Sequence, residues 1–365
     1  TFVETKVYHF QIGSSKVQPT GAHANDDRRE EKIMTAWRGM SSLAAAAGVA
    51  AALAWAPMPA AAEGSIHIAF GDIATVETLN FQIAIERAKE RGVDIEVSYL
   101  KSEDIAAQAV VGGQADVGVG TPYALLQKVN APIRMFYQIS SLRFFPIVNT
   151  EFYQNWKDLD GQEIAVHSRG SGTEAIMLLM AKRNGISYGN ISYVPGSEVR
   201  AGALLQGNVK ATIVDAANRK LVMDKAPGKF KVLPMEGVNA TDEALYANTE
   251  YLQSQQAAVD VLVEELLRTT REINANPAVV ADLRKQYNLL PDLSAEEEAE
   301  IVPYYEEAVA SGAFPSNGGS EAAVKDDFDF YSIAGQLEGD ASALKVEDFW
   351  EFAPLERALE KLGEQ

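Results

Sequence analysis

Residues 170–175, Gly170-Ser171-Gly172-Thr173-Glu174-Ala175, follow the apolar run Glu163-Ile164-Ala165-Val166. They match a G-x-G-x-x-[G/A] loop between a strand and a helix, the pattern that cradles a dinucleotide. That chemistry needs an acidic residue about 20 positions downstream, at the end of the next strand. Here the next strand ends near Val194, Pro195-Gly196 follow, and the first acid is Glu198, already on a helix. No Lys follows the glycines, so a P-loop is excluded as well. Ser171 and Glu174 form S-x-x-E instead, a capping box in which each side chain satisfies a backbone N–H at the helix start. Glu174 would also set negative charge beside a pyrophosphate, which is the wrong sign. The loop is expected to start a helix and to hold no nucleotide cofactor.

The other reactive residue types are sparse. Of four histidines, His9 and His23 lie near the N-terminus, His67 lies inside a strand, and His167 ends a strand beside the glycine loop. Separated histidines do not build a metal site, and no H-E-x-x-H occurs. There is no G-x-S-x-G elbow for a nucleophilic serine. The absence of Cys removes disulfides, thiolate metal sites, cysteine nucleophiles and iron–sulfur clusters together. Nothing argues catalysis, and neither a metal nor a cofactor is expected.

What remains is binding. A helix N-terminus presents free N–H groups and partial positive charge to whatever sits beyond the preceding strand. Thr75 to Glu77, Thr121-Pro122 and Ser171-Gly172-Thr173 are three such starts. Arg143, Arg169 and Arg219 stand near strand ends, where a planar guanidinium would suit a carboxylate or sulfonate. Arg169, which opens the glycine loop, is the preferred one.

These residues are placed by a unit used twice. Ser65 to Phe70 reads as a strand, and Leu79, Ile83, Ile85 and Ala88 mark a helix that stops before Gly92. Ile95 to Leu100 is the next strand, Ser102-Glu103 starts a short helix closed by Gly112-Gly113, and Ala115 to Val119 is a third strand. From residue 163 the order repeats. Strand Glu163 to Val166, a helix ending before Asn184-Gly185, strand Ile191 to Val194, a short helix from Ser197-Glu198 to Gly207, and strand Ala211 to Val214 follow in turn. Asp215 then stands where Thr121 stood. The offset of about 95 residues is too long for a solenoid repeat and predicts two α/β lobes. Each lobe is expected to be a mostly parallel sheet flanked by helices, with ligands beyond the carboxyl ends of its strands. From about residue 255 the chain turns helical, with Val259, Leu262, Val263, Leu266 and Leu267 on one stripe and Asn276-Pro277 at its end. Further helices are expected over 278–287, 295–310, 320–337 and from Pro354 to Leu362. Two crossings between the lobes are expected, near Pro146 to Asn149 and near Val232 to Met235.

The chain has 365 residues, 47% apolar and 23% charged, the balance of a globular protein of two ordinary domains. A formal net charge of −19 disfavours nucleic acid and anionic membrane surfaces as partners. Near the N-terminus, Met34-Thr-Ala-Trp-Arg38 reads as a basic n-region, Leu43 to Trp55 as the apolar run, and Ala60-Ala61-Ala62 as a cleavage site before Glu63. The run is rich in Ala and followed by Pro57 and Pro59, so an export signal is expected rather than a membrane span. Residues 1–33 read as an extension upstream of it. Without Cys there is no acylated cysteine to anchor an exported product.

Three stretches resemble a known family. "GGQADVGVGTPYALL", "WKDLDGQEIAVHSRGSGTEAIMLLMAKRNGI" with "VPGSEVRAGALLQGNVKATIVDA", and "DFYSIAGQLEG…VEDFWEFAPLERAL" are similar to periplasmic substrate-binding proteins of ABC importers. The resemblance is to the nitrate/taurine/sulfonate-type branch, which includes binders of thiamine-pyrimidine precursors. It implies a two-lobed type II binding-protein fold with two hinge crossings, lobe 1 from 63–146 plus 243–365 and lobe 2 from 147–242. It implies a soluble, monomeric periplasmic protein that closes on a small organic solute and delivers it to a permease with its ATPase. By position, it puts ligand contacts on Gly71, Asp72, Thr75 and Glu77, on Gly120 and Thr121, and on Ser140 and Ser141. In lobe 2 they fall on Arg169, Gly170, Ser171, Gly172 and Thr173 and on Asp215 and Ala216. Asp215 weighs against a small anion, so the solute classes are a sulfonate, a zwitterionic amine or a small heterocycle. Tyr246 and Phe136 are candidates to stack a ring. Two other classes fit the same fold, an enzyme related to pyrimidine-precursor synthases and a soluble sensor domain. The synthases rely on histidines and usually a cysteine, which this chain lacks.

Overall fold

A computed structural model describes residues 64–365, apart from 130, 236 and 237. The export-signal reading of 34–62 and the extension at 1–33 lie outside the described residues.

The first stretch runs β1 (Ser65–Phe70), α1 (Leu79–Glu90), β2 (Asp94–Tyr99), α2 (Glu103–Val111), β3 (Val117–Gly120), α3 (Tyr123–Val129) and β4 (Ile133–Ser141). The second runs β5 (Phe144–Asn149), β6 (Glu163–Val166), α4 (Gly172–Asn184), β7 (Asn190–Tyr193), α5 (Ser197–Gln206), β8 (Ala211–Asp215), α6 (Ala216–Lys225) and β9 (Phe230–Val232). Then come β10 (Thr241–Asn248), α7 (Thr249–Ser254), α8 (Gln256–Ala275), α9 (Val279–Gln286), α10 (Ala295–Ala310), α11 (Glu321–Ala334) and α12 (Ala353–Leu362).

Two five-stranded sheets result, β2-β1-β3-β10-β4 and β7-β6-β8-β5-β9. In the first, β1 pairs parallel with β2 and β3, and β10 runs antiparallel between β3 and β4. In the second, β6 pairs parallel with β7 and β8, and β5 runs antiparallel between β8 and β9. The fourth place of each sheet is thus held by the strand that arrives from the other. The chain leaves the first sheet after Ser141, enters the second at Phe144, and returns between Val232 and Thr241. This is the two-lobed periplasmic binding protein fold.

Local chemistry explains most boundaries. The Ser171 hydroxyl accepts the Glu174 N–H to cap α4, and Gly185 ends that helix in the left-handed region at φ 58°. The capping box expected there is only half formed, because Glu174 takes the N–H of Gly170 (2.7 Å) rather than that of Ser171. Pro122 precedes α3 instead of opening it, since the Tyr123 N–H bonds back to Thr121. Helix α8 buries Val259, Leu262, Val263, Leu266 and Leu267 in one cluster with Ile85 and Ala88 of α1. Full burial of each larger side chain contributes about 1.5–3 kcal/mol.

Strand β10 runs against local preference. Its sequence, TDEALYAN, is rich in residues depleted from strands. It is a strand because β3 and β4 pair with it from both sides. Asp327 of α11 also anchors its first residue, accepting the Thr241 N–H at 2.7 Å. The pairing with β4 shifts register between Thr241 and Glu243 and again before Ala244, a bulge at Asp242-Glu243.

Candidate functional site

Both sheets present strand ends to one cavity of about 80 Å³, closed on another side by Tyr304 and Ala308 of α10 and by Phe314. Six carboxylates line it: Asp72, Glu77, Glu103, Asp215, Asp242 and Glu243. Successive strand residues normally point to opposite faces. The bulge in β10 relaxes that alternation, and both Asp242 and Glu243 reach the lining.

Each carboxylate but one is held by protein. Asp72 accepts the Ile73 N–H at 2.7 Å. Asp215 caps α6, accepting the Asn218 backbone N–H at 2.8 Å and its side-chain amide at 2.9 Å. That amide also donates to Glu77 at 3.0 Å, joining the two sheets' elements. Glu103 accepts the Thr121 N–H at 3.0 Å. Gly120 permits this approach, because a Cβ there would lie 2.8 Å from Glu103 Oε2, and its φ is +141°. Asp242 accepts the Ser140 hydroxyl at 3.3 Å. Glu243 has no hydrogen-bond donor among the described residues.

Burial, reinforced by neighbouring like charge, raises the proton affinity of Glu77, Glu103, Asp242 and Glu243. Burial pushes Glu103 up to about 8, against the pull of the Thr121 N–H and with help from Asp242 and Asp72. Asp242 is pushed up to about 7, again by burial first, with Ser140 opposing and Asp72 adding. Burial, then Asp215 and Glu198, hold Glu77 well above the carboxylate range. Burial, then Asp242 and Asp72, do the same for Glu243.

The cations beside the cavity are already engaged. Arg200 is 1% exposed and gives Nε to the Ile213 carbonyl and Nη1 to the Val194 carbonyl, both at 2.9 Å. Arg143 gives Nε to Ser311 and Nη1 to Leu142, both carbonyls at 2.7 Å, and Nη2 to Asn239. His167 faces Gly71 O at 3.1 Å through Nε2 and receives the Gly196 N–H on Nδ1 at 3.4 Å. That pairing fits the neutral ring protonated on Nε2. Burial lowers its pKa, opposed by Asp72. Among the described residues no group of three or more His, Cys, Asp or Glu is arranged to hold a metal ion.

The model of the family described as NMT1/THI5 like matches residues 88–279. The chain belongs to the NMT1/THI5-like family. A search of curated proteins finds no match. Among solved structures, a protein of Bordetella bronchiseptica RB50 superposes with a TM-score of 0.66 at 19% identity, over 82% of this chain and 98% of that one. The periplasmic nitrate-binding protein NrtA from Synechocystis PCC 6803 gives 0.60 at 12% identity, over 82% and 89%. The alkanesulfonate-binding protein SsuA from Xanthomonas axonopodis pv. citri, bound to MOPS, gives 0.55 at 16% identity, over 77% and 96%.

In this NMT1/THI5-like chain, the residues singled out from sequence separate into two groups. Gly71, Asp72, Glu77, Ser140, Ser141, Ser171, Gly172, Thr173, Asp215 and Ala216 line the cavity together. Thr75 lines an adjoining groove of about 470 Å³ that shares Glu77 and Tyr304 with it. Gly120 and Thr121 stand behind Glu103 and position it. Arg169 and Gly170 are not in the lining; Arg169 is exposed, with its guanidinium 5.2 Å from the Tyr193 ring centre. Arg219 pairs with Glu307 at 2.8 Å and lies over the Phe145 ring. Tyr246 and Phe136 are buried in the core, and the aromatic residues at the cavity are Phe144, Tyr304 and Phe314. Sequence reasoning passed over Glu103, Arg200, Asp242, Glu243 and Tyr304. Asp242 and Glu243 sit in the strand whose composition hid it, and Arg200 reads as an ordinary helix residue.

Proposed function

We propose that this chain is the extracytoplasmic solute-binding component of an ABC importer. It would capture a small organic solute between two lobes and hand it to a permease without altering it. Each sheet with its helices forms one lobe, and the crossings that leave the first sheet after Ser141 and re-enter it at Thr241 act as hinges. The observation that carries this reading is one cavity bounded by strand ends of two sheets with the same strand order. Ligands of open α/β sheets bind at that place. Of the lining, Gly71, Asp72, Glu77, Ser140, Asp215 and Ala216 are proposed to meet the solute, with Ser171 to Thr173 shaping the opposite wall. The likeness to a nitrate-binding and an alkanesulfonate-binding protein supports solute capture, at identities that carry the fold alone. The protein is proposed to act as an exported, unanchored monomer; among the described residues no helix is long and apolar enough to cross a membrane.

A thermal-shift screen tests the reading. A solute at about a hundred times its dissociation constant adds roughly 2.7 kcal/mol of stability, a rise of a few degrees in a domain of this size. Equilibrium dialysis should then return the solute chemically unchanged. Saturable binding with turnover would favour the enzyme class, and a screen of amines, sulfonates, nitrate and pyrimidines without a hit would overturn the proposal.

A further inference from the structure

The positions at which this cavity would recognise an anion are filled by the chain's own carboxylates. The start of α4 is the example the loop sequence advertises. A Cβ on Gly172 would lie 3.4 Å from Asp242 Oδ1, so that carboxylate stands close to the helix N-terminus. Asp215 caps the start of α6, and Glu103 takes the free N–H of Thr121 ahead of α3. Arg143 gives its donors to two carbonyls and to Asn239, and Arg200 gives Nε and Nη1 to carbonyls. The charge that Arg200 keeps is outnumbered by the carboxylates of the lining.

The unmet demand is for donors and positive charge. Glu243 lines the cavity without a hydrogen-bond partner. Isolated carboxylates in such a place are costly unless paired. From this we infer that the solute is a small organic cation carrying N–H donors, an amine or a guanidine, bound between Asp72, Glu77, Asp242 and Glu243. This rests on the solute-capture reading above and names the ligand class for the same site. The cavity of about 80 Å³ suits a small solute. The N–H requirement excludes quaternary ammonium ions, which need an aromatic cage rather than acceptors.

Protein unfolded and refolded to strip carried solute would be titrated by calorimetry with methylguanidine, ethanolamine and 1,4-diaminobutane. Tetramethylammonium, ethanesulfonate, nitrate and acetamide form the comparison set. The expected result is saturable binding of at least one N–H cation, tighter by tenfold or more than any member of the comparison set. Binding led by ethanesulfonate, nitrate or acetamide would overturn this inference and leave solute capture standing. No binding by any probe in either set would count against both. Glu243→Gln provides the second readout, since this side chain gives up no protein hydrogen bond. It should weaken the cation about tenfold, as expected for a charged hydrogen bond. Without ligand it should melt no lower than the parent, because the replaced group faces Asp242, Asp72 and Glu103 with no partner of its own. A variant that melts lower, or binds the cation equally well, would contradict the assignment; Asp72→Asn repeats the test at an independent position.

Discussion

The loops after β1 and β6 are counterparts, each following the central parallel strand of its sheet, yet they end differently. The loop after β6 closes on itself. The Ser171 hydroxyl donates to Ser168 O at 2.8 Å, Thr173 Oγ1 accepts the His167 N–H at 3.0 Å, and Glu174 accepts from Gly170 and Tyr193, both at 2.7 Å. The loop after β1 turns outward. It brings Asp72 and Glu77 to the cavity, and the Glu77 contact reaches across to Asn218 of α6. One wall is pre-organised and largely satisfied, and the other is charged and waiting. Selectivity should therefore reside in the wall after β1 and rigidity in the wall after β6.

The largest effect that would break this comparison is expected from Arg200→Met. It removes the buried charge that the Glu77, Asp72, Glu198 and Asp215 carboxylates surround. Removing one partner of a buried charge set costs about 3–5 kcal/mol. Urea denaturation should show the midpoint fall accordingly, and an unchanged midpoint would mean the charges are solvated. Gly172→Ala comes next, because its Cβ would meet Leu142 Cδ2 at 2.4 Å. Overpacking of that kind costs roughly 1–3 kcal/mol, read by the same denaturation. Thr173→Val removes the acceptor for the His167 N–H. About 1 kcal/mol of stability should be lost, with little change in ligand affinity if the β6 loop serves rigidity. Asp72→Asn should do the reverse, weakening the ligand while leaving the midpoint within about 0.5 kcal/mol.

The comparison is sharpened further by a slope with pH. Glu103 and Asp242 hold their protons up to about 8 and about 7 in the folded protein. Both values lie above those of the unfolded chain, so the folded state binds more protons in between. Their contribution is complete below the ordinary carboxylate range and is lost as pH rises through those values. The melting temperature of ligand-free protein should therefore decline from about pH 5 to about pH 9. The other groups facing them are Asp72, Glu77, Asp215, Glu243, Arg143, Arg200 and His167. A bound cation should flatten the decline. A melting temperature that rose over this range would show that the carboxylates are paired in the ligand-free state.

Much of the fold was legible because its boundaries rest on local chemistry. Ser102, Ser171 and Ser197 begin or cap helices, and Gly112, Gly185 and Gly207 end them. Helix α10 spans Ala295–Ala310, as its pattern predicts. Strand β10 was not legible, since two neighbouring strands and Asp327 impose it on a sequence with no strand preference. The same gap hid two of the six lining carboxylates. Asp242 and Glu243 turn toward the cavity through a bulge, and a bulge is set by pairing across β4 rather than by residue type. Glu103 was visible as a helix-start residue, but its place in the lining depends on Gly120 leaving room for it. The hydroxyls of Ser171 and Thr173 were placed at the cavity from sequence, and the inward turn of their hydrogen bonds became visible only in three dimensions.

The most direct test of the account is proton linkage on binding. An N-H cation entering a cluster of protonated carboxyls should expel protons, since its charge lowers their pKa values. Titration of the tightest amine or guanidine at pH 7.5, in two buffers of different ionisation heat, measures this number directly. The account predicts net proton release on binding, diminished in Glu243→Gln. Net proton uptake, or identical heats in the two buffers, would contradict it.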